Sequence, residues 1–131
     1  MTLNELAKEI RDNAVEPGWY EEPRPFPEII ALCHSELSEA LEEYMDGRPA
    51  IYYKCDATEI DPCLPDCQYY SEESPCNCRG IKPEGAHPEL IDCVIRIFNY
   101  CAFTETDIDA LIKAKMEYNA GRPYRHGGKR C

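Results

Sequence analysis

Two pairs of acidic residues with the same spacing are the part of this sequence best suited to chemistry. Glu36 and Glu39 form one pair, Glu89 and Asp92 form the other, and the members of each pair are three positions apart. Side chains three apart share one face of an α-helix, and each pair borders an apolar stripe. If the two segments pack together as helices, four carboxylates meet at a half-buried seam.

Four clustered carboxylates repel one another, so they are stable only when protonated, paired with cations or bound to a metal ion. Ligand sets made only of oxygen favour hard cations, here magnesium or, as the alternative ion, manganese. Such ions serve phosphoryl chemistry because they keep coordination positions open for water and substrate phosphates. By spacing alone, however, an ordinary solvated acidic face, with Glu42 and Glu43 beside the first pair, is about as good an explanation.

Apolar residues at three- and four-residue steps predict four helices that would position these carboxylates. A capping box of Thr2 and Glu5 predicts the start of the first helix, and Thr106 is expected to cap the fourth. Gly47 and Gly121, each followed by proline two residues later, end the second and the fourth. The helices are expected at about residues 2–14, 27–45, 88–103 and 107–120.

The apolar stripe of each helix is expected to be buried. In the second helix the stripe includes Leu37 and Leu41. Cys33, Cys93 and Cys101 lie on or beside the stripes and are interpreted as small core residues. The predicted buried face of the third helix consists of Leu90, Ile91, Val94, Ile95, Phe98 and Cys101.

Residues 50–85 differ from the rest of the chain, since they are rich in Cys, Pro, Asp and Tyr and show no sustained periodicity. We predict a single domain, residues 1–131, that carries this segment as a long irregular insertion, with a short extended piece at 51–53. A loop of this length is usually functional, disordered or held by something extra, and four thiolates can close a tetrahedral zinc site. Reduced surface thiols, or one disulfide, are the alternative, because paired CxxC knuckles are missing. The candidate zinc ligands are Cys63, Cys67, Cys76 and Cys78.

Length and charge exclude several classes of function. A chain of 131 residues suits one domain, and helical domains this small often gain stability by oligomerising.

The formal net charge of −11 argues against nucleic acid or an anionic membrane as partner, because phosphate backbones require a basic surface. A small phosphorylated ligand is compatible when a dication bridges it to carboxylates. Apolar runs are too short to span a membrane, and no basic and apolar leader begins the chain, so we expect a cytoplasmic protein.

Three stretches of this sequence resemble the motifs of MazG-like nucleotide pyrophosphohydrolases, in the order in which that family has them. Residues 34–42, HSELSEALE, resemble the first metal motif, and residues 89–96, ELIDCVIR, resemble the second. Residues 115–119, KMEYN, and 122–129, RPYRHGGK, resemble the C-terminal signature. The likeness covers the chain except for the insertion, which makes the gap between the metal motifs longer than is usual in the family.

The resemblance implies an all-α, four-helix MazG-like bundle that assembles as a homodimer or homotetramer. It implies Mg²⁺-dependent hydrolysis of a nucleoside triphosphate, expected to be a deoxynucleotide or a non-standard nucleotide, to a monophosphate and pyrophosphate. Glu36 or Glu39 could orient the attacking water, and Lys115 would stabilise the transition state. The implied metal ligands are Glu36, Glu39, Glu89 and Asp92. The implied substrate contacts are Lys115, Asn119, Asn99 and Arg122.

Two other functions are compatible with the sequence. A phosphoribosyl-ATP pyrophosphatase would use the same fold on a different nucleotide. A non-catalytic metal-binding protein, organised by the cysteines of the insertion, would bind zinc and turn over no nucleotide. A ferritin-like di-iron centre is disfavoured, since its Glu-x-x-His pairs lie on helices. Here the one such spacing, Glu84 to His87, lies in a stretch rich in glycine and proline.

Overall fold

The computed structural model describes residues 1–15, 24–55 and 81–122, and this part of the chain is mainly α-helical. Four helices confirm the predicted all-α class: α1 (Leu3–Val15), α2 (Phe26–Met45), α3 (Ala86–Phe103) and α4 (Ile108–Ala120). Two strands, β1 (Tyr52–Cys55) and β2 (Ile81–Glu84), form a two-stranded antiparallel sheet. None of the helices in these ranges is long and apolar enough to cross a membrane.

The predicted capping box begins α1, whereas α4 has a different cap from the one predicted. The Thr2 backbone N–H donates to the Glu5 carboxylate (2.9 Å), and the Glu5 N–H donates to Thr2 Oγ1 (3.1 Å). The cap of α4 is Asp107, whose side chain accepts from the backbone N–H three residues later. The prediction of Thr106 as the cap is wrong, because its hydroxyl pairs instead with that of Thr104 at 2.8 Å.

Ordered strands occupy both ends of the predicted irregular insertion, residues 50–85. The register pairs Tyr52 with Glu84 and Lys54 with Lys82. The extended piece predicted at 51–53 therefore overlaps a strand, but the sequence does not predict its partner, β2, because these residues lack an alternating apolar pattern. Residues 56–80 lie outside the described residues, and with them lie the candidate zinc ligands Cys63, Cys67, Cys76 and Cys78.

The junction between β2 and α3 requires glycine. Gly85 has a φ of +116°, and a Cβ at this position would lie 2.5 Å from the Ala50 carbonyl oxygen. The same carbonyl accepts the His87 N–H (3.1 Å), and the Glu89 N–H donates to the Gly85 carbonyl (3.3 Å). These contacts fix the start of α3, which begins two residues earlier than predicted, and they place Glu89 in its first turn.

The chain divides into two compact units, a terminal unit of Met1–Ile29 and Ile95–Cys131 and a middle unit of Ile30–Val94. In the terminal unit, where α1 contacts α4, Ala7 and Ile108 are buried. In the middle unit, Cys33 and Cys93 are buried, which confirms that they are small core residues. The single domain and the four-helix bundle remain predictions.

Several helix faces that are predicted to be buried are exposed in the single chain. Leu37 and Leu41 of α2 are both exposed, Leu41 at 57%. On α3, Leu90 and Ile91 are exposed, Ile91 at 56%. The prediction of a buried α3 face is wrong for these residues, because periodicity identifies the apolar side of a helix without identifying what covers it. Two further exposed members of that face are Val94 and Ile95.

Candidate metal centre

Three of the four predicted carboxylate ligands converge in the middle unit. Glu36, Glu89 and Asp92 each offer a carboxylate oxygen, and these atoms lie within 4.8 Å of one another. Glu36 is buried, Glu89 is half-buried and Asp92 is exposed. One carboxylate of the pair on α2 and both carboxylates of the pair on α3 therefore lie together.

Glu39 lies beside this group of three. Its side chain is exposed and forms a hydrogen bond with Glu89. A carboxylate is an acceptor only, so a hydrogen bond between two carboxyl groups requires a proton on one of them. The fourth predicted ligand therefore contacts Glu89, one of the three.

Burial and neighbouring carboxyl groups raise the pKa of Glu89 from its ordinary value of 4.5 to about 7. Burial is the largest cause, followed by hydrogen bonds with Glu39 and Glu36 and by the negative charges of Glu39 and Asp92. A proton on Glu89 therefore relieves part of the repulsion when no metal ion is bound. A hard dication would relieve more of it, since it carries twice the charge and prefers oxygen ligands. The residues present fit magnesium or manganese.

A lysine that sequence analysis misses lies close to these carboxylates. Lys82 on β2 forms an ion pair with Glu84 at 3.1 Å. This hydrogen bond is the main reason that the pKa of Lys82 is raised, and the charges of Glu89 and Asp92 raise it further. Lys82 is seven residues before Glu89. Its proximity to the carboxylates depends on β2 and on the turn into α3, so it cannot be recognised before these elements are known.

Glu43 is a second buried acid, at 9% exposed, and it anchors the hairpin to α2. The Tyr52 hydroxyl lies 3.1 Å from both of its carboxylate oxygens, and Arg48 Nη1 donates to one of them at 3.0 Å. Burial raises the pKa of Tyr52, and the hydrogen bond to Glu43 raises it further. Glu43 is therefore not part of a solvated acidic face. The sequence leaves that interpretation open because it does not predict the hairpin that covers Glu43.

The predicted substrate contacts belong to the terminal unit. Lys115 and Asn119 are exposed on α4, and Arg122 follows this helix with its guanidinium carbon 5.5 Å from the centre of the Tyr118 ring. Asn99 lies on α3, and its buried Oδ1 atom has no hydrogen-bond partner among the described residues. That these side chains approach the carboxylates of the middle unit is still a prediction.

Comparison with known proteins finds no matching family model, no matching curated protein and no matching solved structure. The likeness to MazG-like enzymes therefore remains a resemblance based on three sequence motifs.

Proposed function

We propose that this protein is a magnesium-dependent nucleoside triphosphate pyrophosphohydrolase. The observation that carries this proposal is the convergence of Glu36, Glu89 and Asp92, whose ligand oxygens lie within 4.8 Å of one another. Glu39 adjoins them through its hydrogen bond with Glu89. Together these residues offer only oxygen donors, which suit Mg²⁺, with Mn²⁺ as the alternative ion.

The chemistry is hydrolysis between the α- and β-phosphates. When bound, Mg²⁺ neutralises phosphate charge and makes a nearby water molecule more acidic. Glu36, Glu89 and Asp92 would hold the ion, and Glu39, exposed beside them, would orient the attacking water and accept its proton. The water oxygen bonds to the α-phosphorus while the bond from this phosphorus to the bridging oxygen breaks. A nucleoside monophosphate and pyrophosphate are released.

Positively charged and polar groups stabilise the charge that develops on the phosphates. We assign this role to Lys115, with Asn119, Asn99 and Arg122 as further contacts to the nucleotide. Lys115 and Asn119 are exposed, so a ligand can reach them. Asn99 Oδ1 lacks a partner among the described residues and could accept a hydrogen bond from a hydroxyl or N–H group of the nucleotide, not from a phosphate. The proposed substrate is a deoxynucleotide or a non-standard nucleotide.

We propose a homodimer or a homotetramer as the active form. Apolar side chains of α2 and α3, such as Leu41 and Ile91, are exposed in the single chain, and a second copy would cover them. Nucleic acid is not proposed as a partner, because the formal net charge is −11.

A pyrophosphate-release assay tests the proposed reaction. The panel contains ribo- and deoxynucleoside triphosphates, non-standard nucleotides and phosphoribosyl-ATP, each with and without Mg²⁺. We expect turnover that requires Mg²⁺. We expect Glu39→Gln and Asp92→Asn each to lower kcat/KM by about a hundredfold or more, which is at least the lower end of what a catalytic acid–base group contributes. Circular dichroism should show unchanged helix content in both variants.

The matched control is Glu42→Gln, which changes an exposed acid of α2 near Glu39 and should keep full activity. Full activity in Glu39→Gln and Asp92→Asn as well would contradict the assignment. A strong preference for phosphoribosyl-ATP would make the protein a pyrophosphatase of that substrate. Bound zinc without turnover of any nucleotide would favour the non-catalytic alternative.

A further inference from the structure

The hairpin of β1 and β2 carries two lysines side by side. Residues directly opposite each other on antiparallel strands have their side chains on the same face, and so do residues two apart along one strand. The register places Tyr52 opposite Glu84 and Lys54 opposite Lys82. These four residues form one side of the hairpin, which we call the polar face.

The polar face is turned toward the helices that carry the carboxylates. At one end, the Tyr52 hydroxyl lies 3.1 Å from both carboxylate oxygens of Glu43 on α2. At the other end, the ammonium group of Lys82 interacts with the charges of Glu89 and Asp92 on α3. Gly85 joins β2 directly to α3, so Lys82 is close along the chain to the helix that carries Glu89 and Asp92.

Two ammonium groups opposite each other in a sheet destabilise it, so Lys54 and Lys82 need negative charge nearby. Glu84 provides part of it through its 3.1 Å ion pair with Lys82, and Glu89 and Asp92 provide more while no metal ion is bound to them. A dication bound by those two carboxylates would cancel that contribution. An anion that contacts both the dication and the lysines restores the balance, and a polyphosphate is such an anion.

We propose that Lys54 and Lys82 bind the β- and γ-phosphates of the substrate, the part that leaves as pyrophosphate. This inference rests on the proposed function. Both side chains are exposed, so a ligand can reach them. The carboxylates serve the α-phosphorus that is attacked, whereas negative charge builds up on the leaving oxygen. Lys82 near the metal ligands and Lys54 opposite it have flexible side chains that can follow that charge and stabilise it.

A simpler role for Lys82 is to balance the charge of the carboxylates without touching the substrate. The two roles predict different results. Loss of a mere counter-charge strengthens metal binding and leaves pyrophosphate affinity unchanged. Loss of a phosphate contact weakens pyrophosphate binding and does not weaken metal binding.

The experiment compares two probes. Binding of inorganic pyrophosphate is measured by calorimetry at saturating Mg²⁺, and binding of Mn²⁺ alone is measured by electron paramagnetic resonance. We expect Lys54→Gln and Lys82→Gln each to weaken pyrophosphate binding by about tenfold, the loss of one charge-assisted hydrogen bond, without weakening Mn²⁺ binding. Lys82→Arg keeps the charge and should keep most of the pyrophosphate affinity. Lys8→Gln changes an exposed lysine of α1 and is the matched control.

Unchanged pyrophosphate affinity in both Gln variants overturns the inference, and so does a wild-type protein that binds no pyrophosphate. If Lys82→Gln fails to fold, Lys54→Gln on the other strand carries the test. If the wild type turns over nucleotides and both variants keep its pyrophosphate affinity and kcat/KM, the inference is wrong and the proposed function stands. Pyrophosphate binding through the lysines without turnover of any nucleotide refutes the proposed function and leaves the phosphate site standing.

Discussion

A carboxyl group with a pKa of about 7 can exchange its proton for a metal ion near neutral pH, and Glu89 is such a group. Burial and contacts with Glu39 and Glu36 disfavour its charged form in the folded protein, so its pKa lies above the ordinary value of 4.5. A group of this kind contributes stability that is fully present below pH 4.5 and is lost as the pH rises through about 7. At higher pH, a bound dication would compensate for that loss.

We therefore predict that Mn²⁺ affinity rises with pH and levels off above about pH 7. Each ion must displace the proton from Glu89, so the apparent affinity should fall by about tenfold for each pH unit below that value. Mn²⁺ titrations between about pH 5.5 and 8.5 measure this slope, and Glu42→Gln should reproduce it. The same affinity at every pH in this range would show that Glu89 carries no proton for the metal ion to displace.

At the scale of whole elements, α1 and α4 stabilise each other's N-termini, although 105 positions separate Asn4 from Asp109. Asp109 accepts the backbone N–H groups of Leu3 (3.1 Å) and Asn4 (3.0 Å). The Asn4 side chain accepts the Ile108 N–H (2.8 Å) and donates to Asp107 (2.8 Å). The first N–H groups of a helix have no acceptor within it, and here two helices supply acceptors to each other.

We predict that Asp109→Ala lowers the free energy of unfolding by about 2 kcal/mol, because two backbone donors lose a charged acceptor. Urea unfolding followed by circular dichroism measures the change. Asp12→Ala removes an exposed acid from the same pair of helices and should alter stability by less than about 0.5 kcal/mol. Equal effects of the two substitutions would mean that the Asp109 contacts add nothing to stability.

Local features of these elements can be predicted from the sequence, whereas contacts between distant segments cannot. The capping box of Thr2 and Glu5 is predictable because its partners are three residues apart. The contact of Asp109 with α1 is not, because it exists only after α1 and α4 have packed. The carboxylates lie between these cases: helical spacing defines each pair, and apolar stripes indicate which sides of the helices pack.

The hairpin marks the limit of prediction at the candidate site. Its strands are four residues each, lack apolar alternation and are separated by the 25 positions 56–80. Lys82 and the burial of Glu43 both depend on this hairpin, so neither can be recognised without it. The convergence of Glu36, Glu89 and Asp92 needs only the two helices, so the sequence can indicate it, although spacing alone fits a solvated acidic face as well.

At the scale of the whole molecule, both units have large apolar side chains exposed on their helices. Leu41 and Ile91 are exposed in the middle unit, and Leu111 and Met116 are exposed on α4 in the terminal unit. The buried apolar side chains among the described residues are mostly small: Ala7, Cys33, Ala40, Cys93 and Ile108. The exposed faces favour assembly, since a second copy can cover them.

We expect the wild-type protein to sediment as a homodimer or homotetramer and Leu41→Glu to dissociate it, because a carboxylate buried in an apolar interface without a partner is strongly unfavourable. Lys8→Glu places the same side chain on an exposed polar position of α1 and should leave the assembly intact. Leu41 follows Glu36 by five residues, about 140° around the helix, so Mn²⁺ affinity should survive in the dissociated variant. A wild type that stays monomeric would show that a second copy does not cover these faces, and an intact Leu41→Glu assembly would place its interface elsewhere.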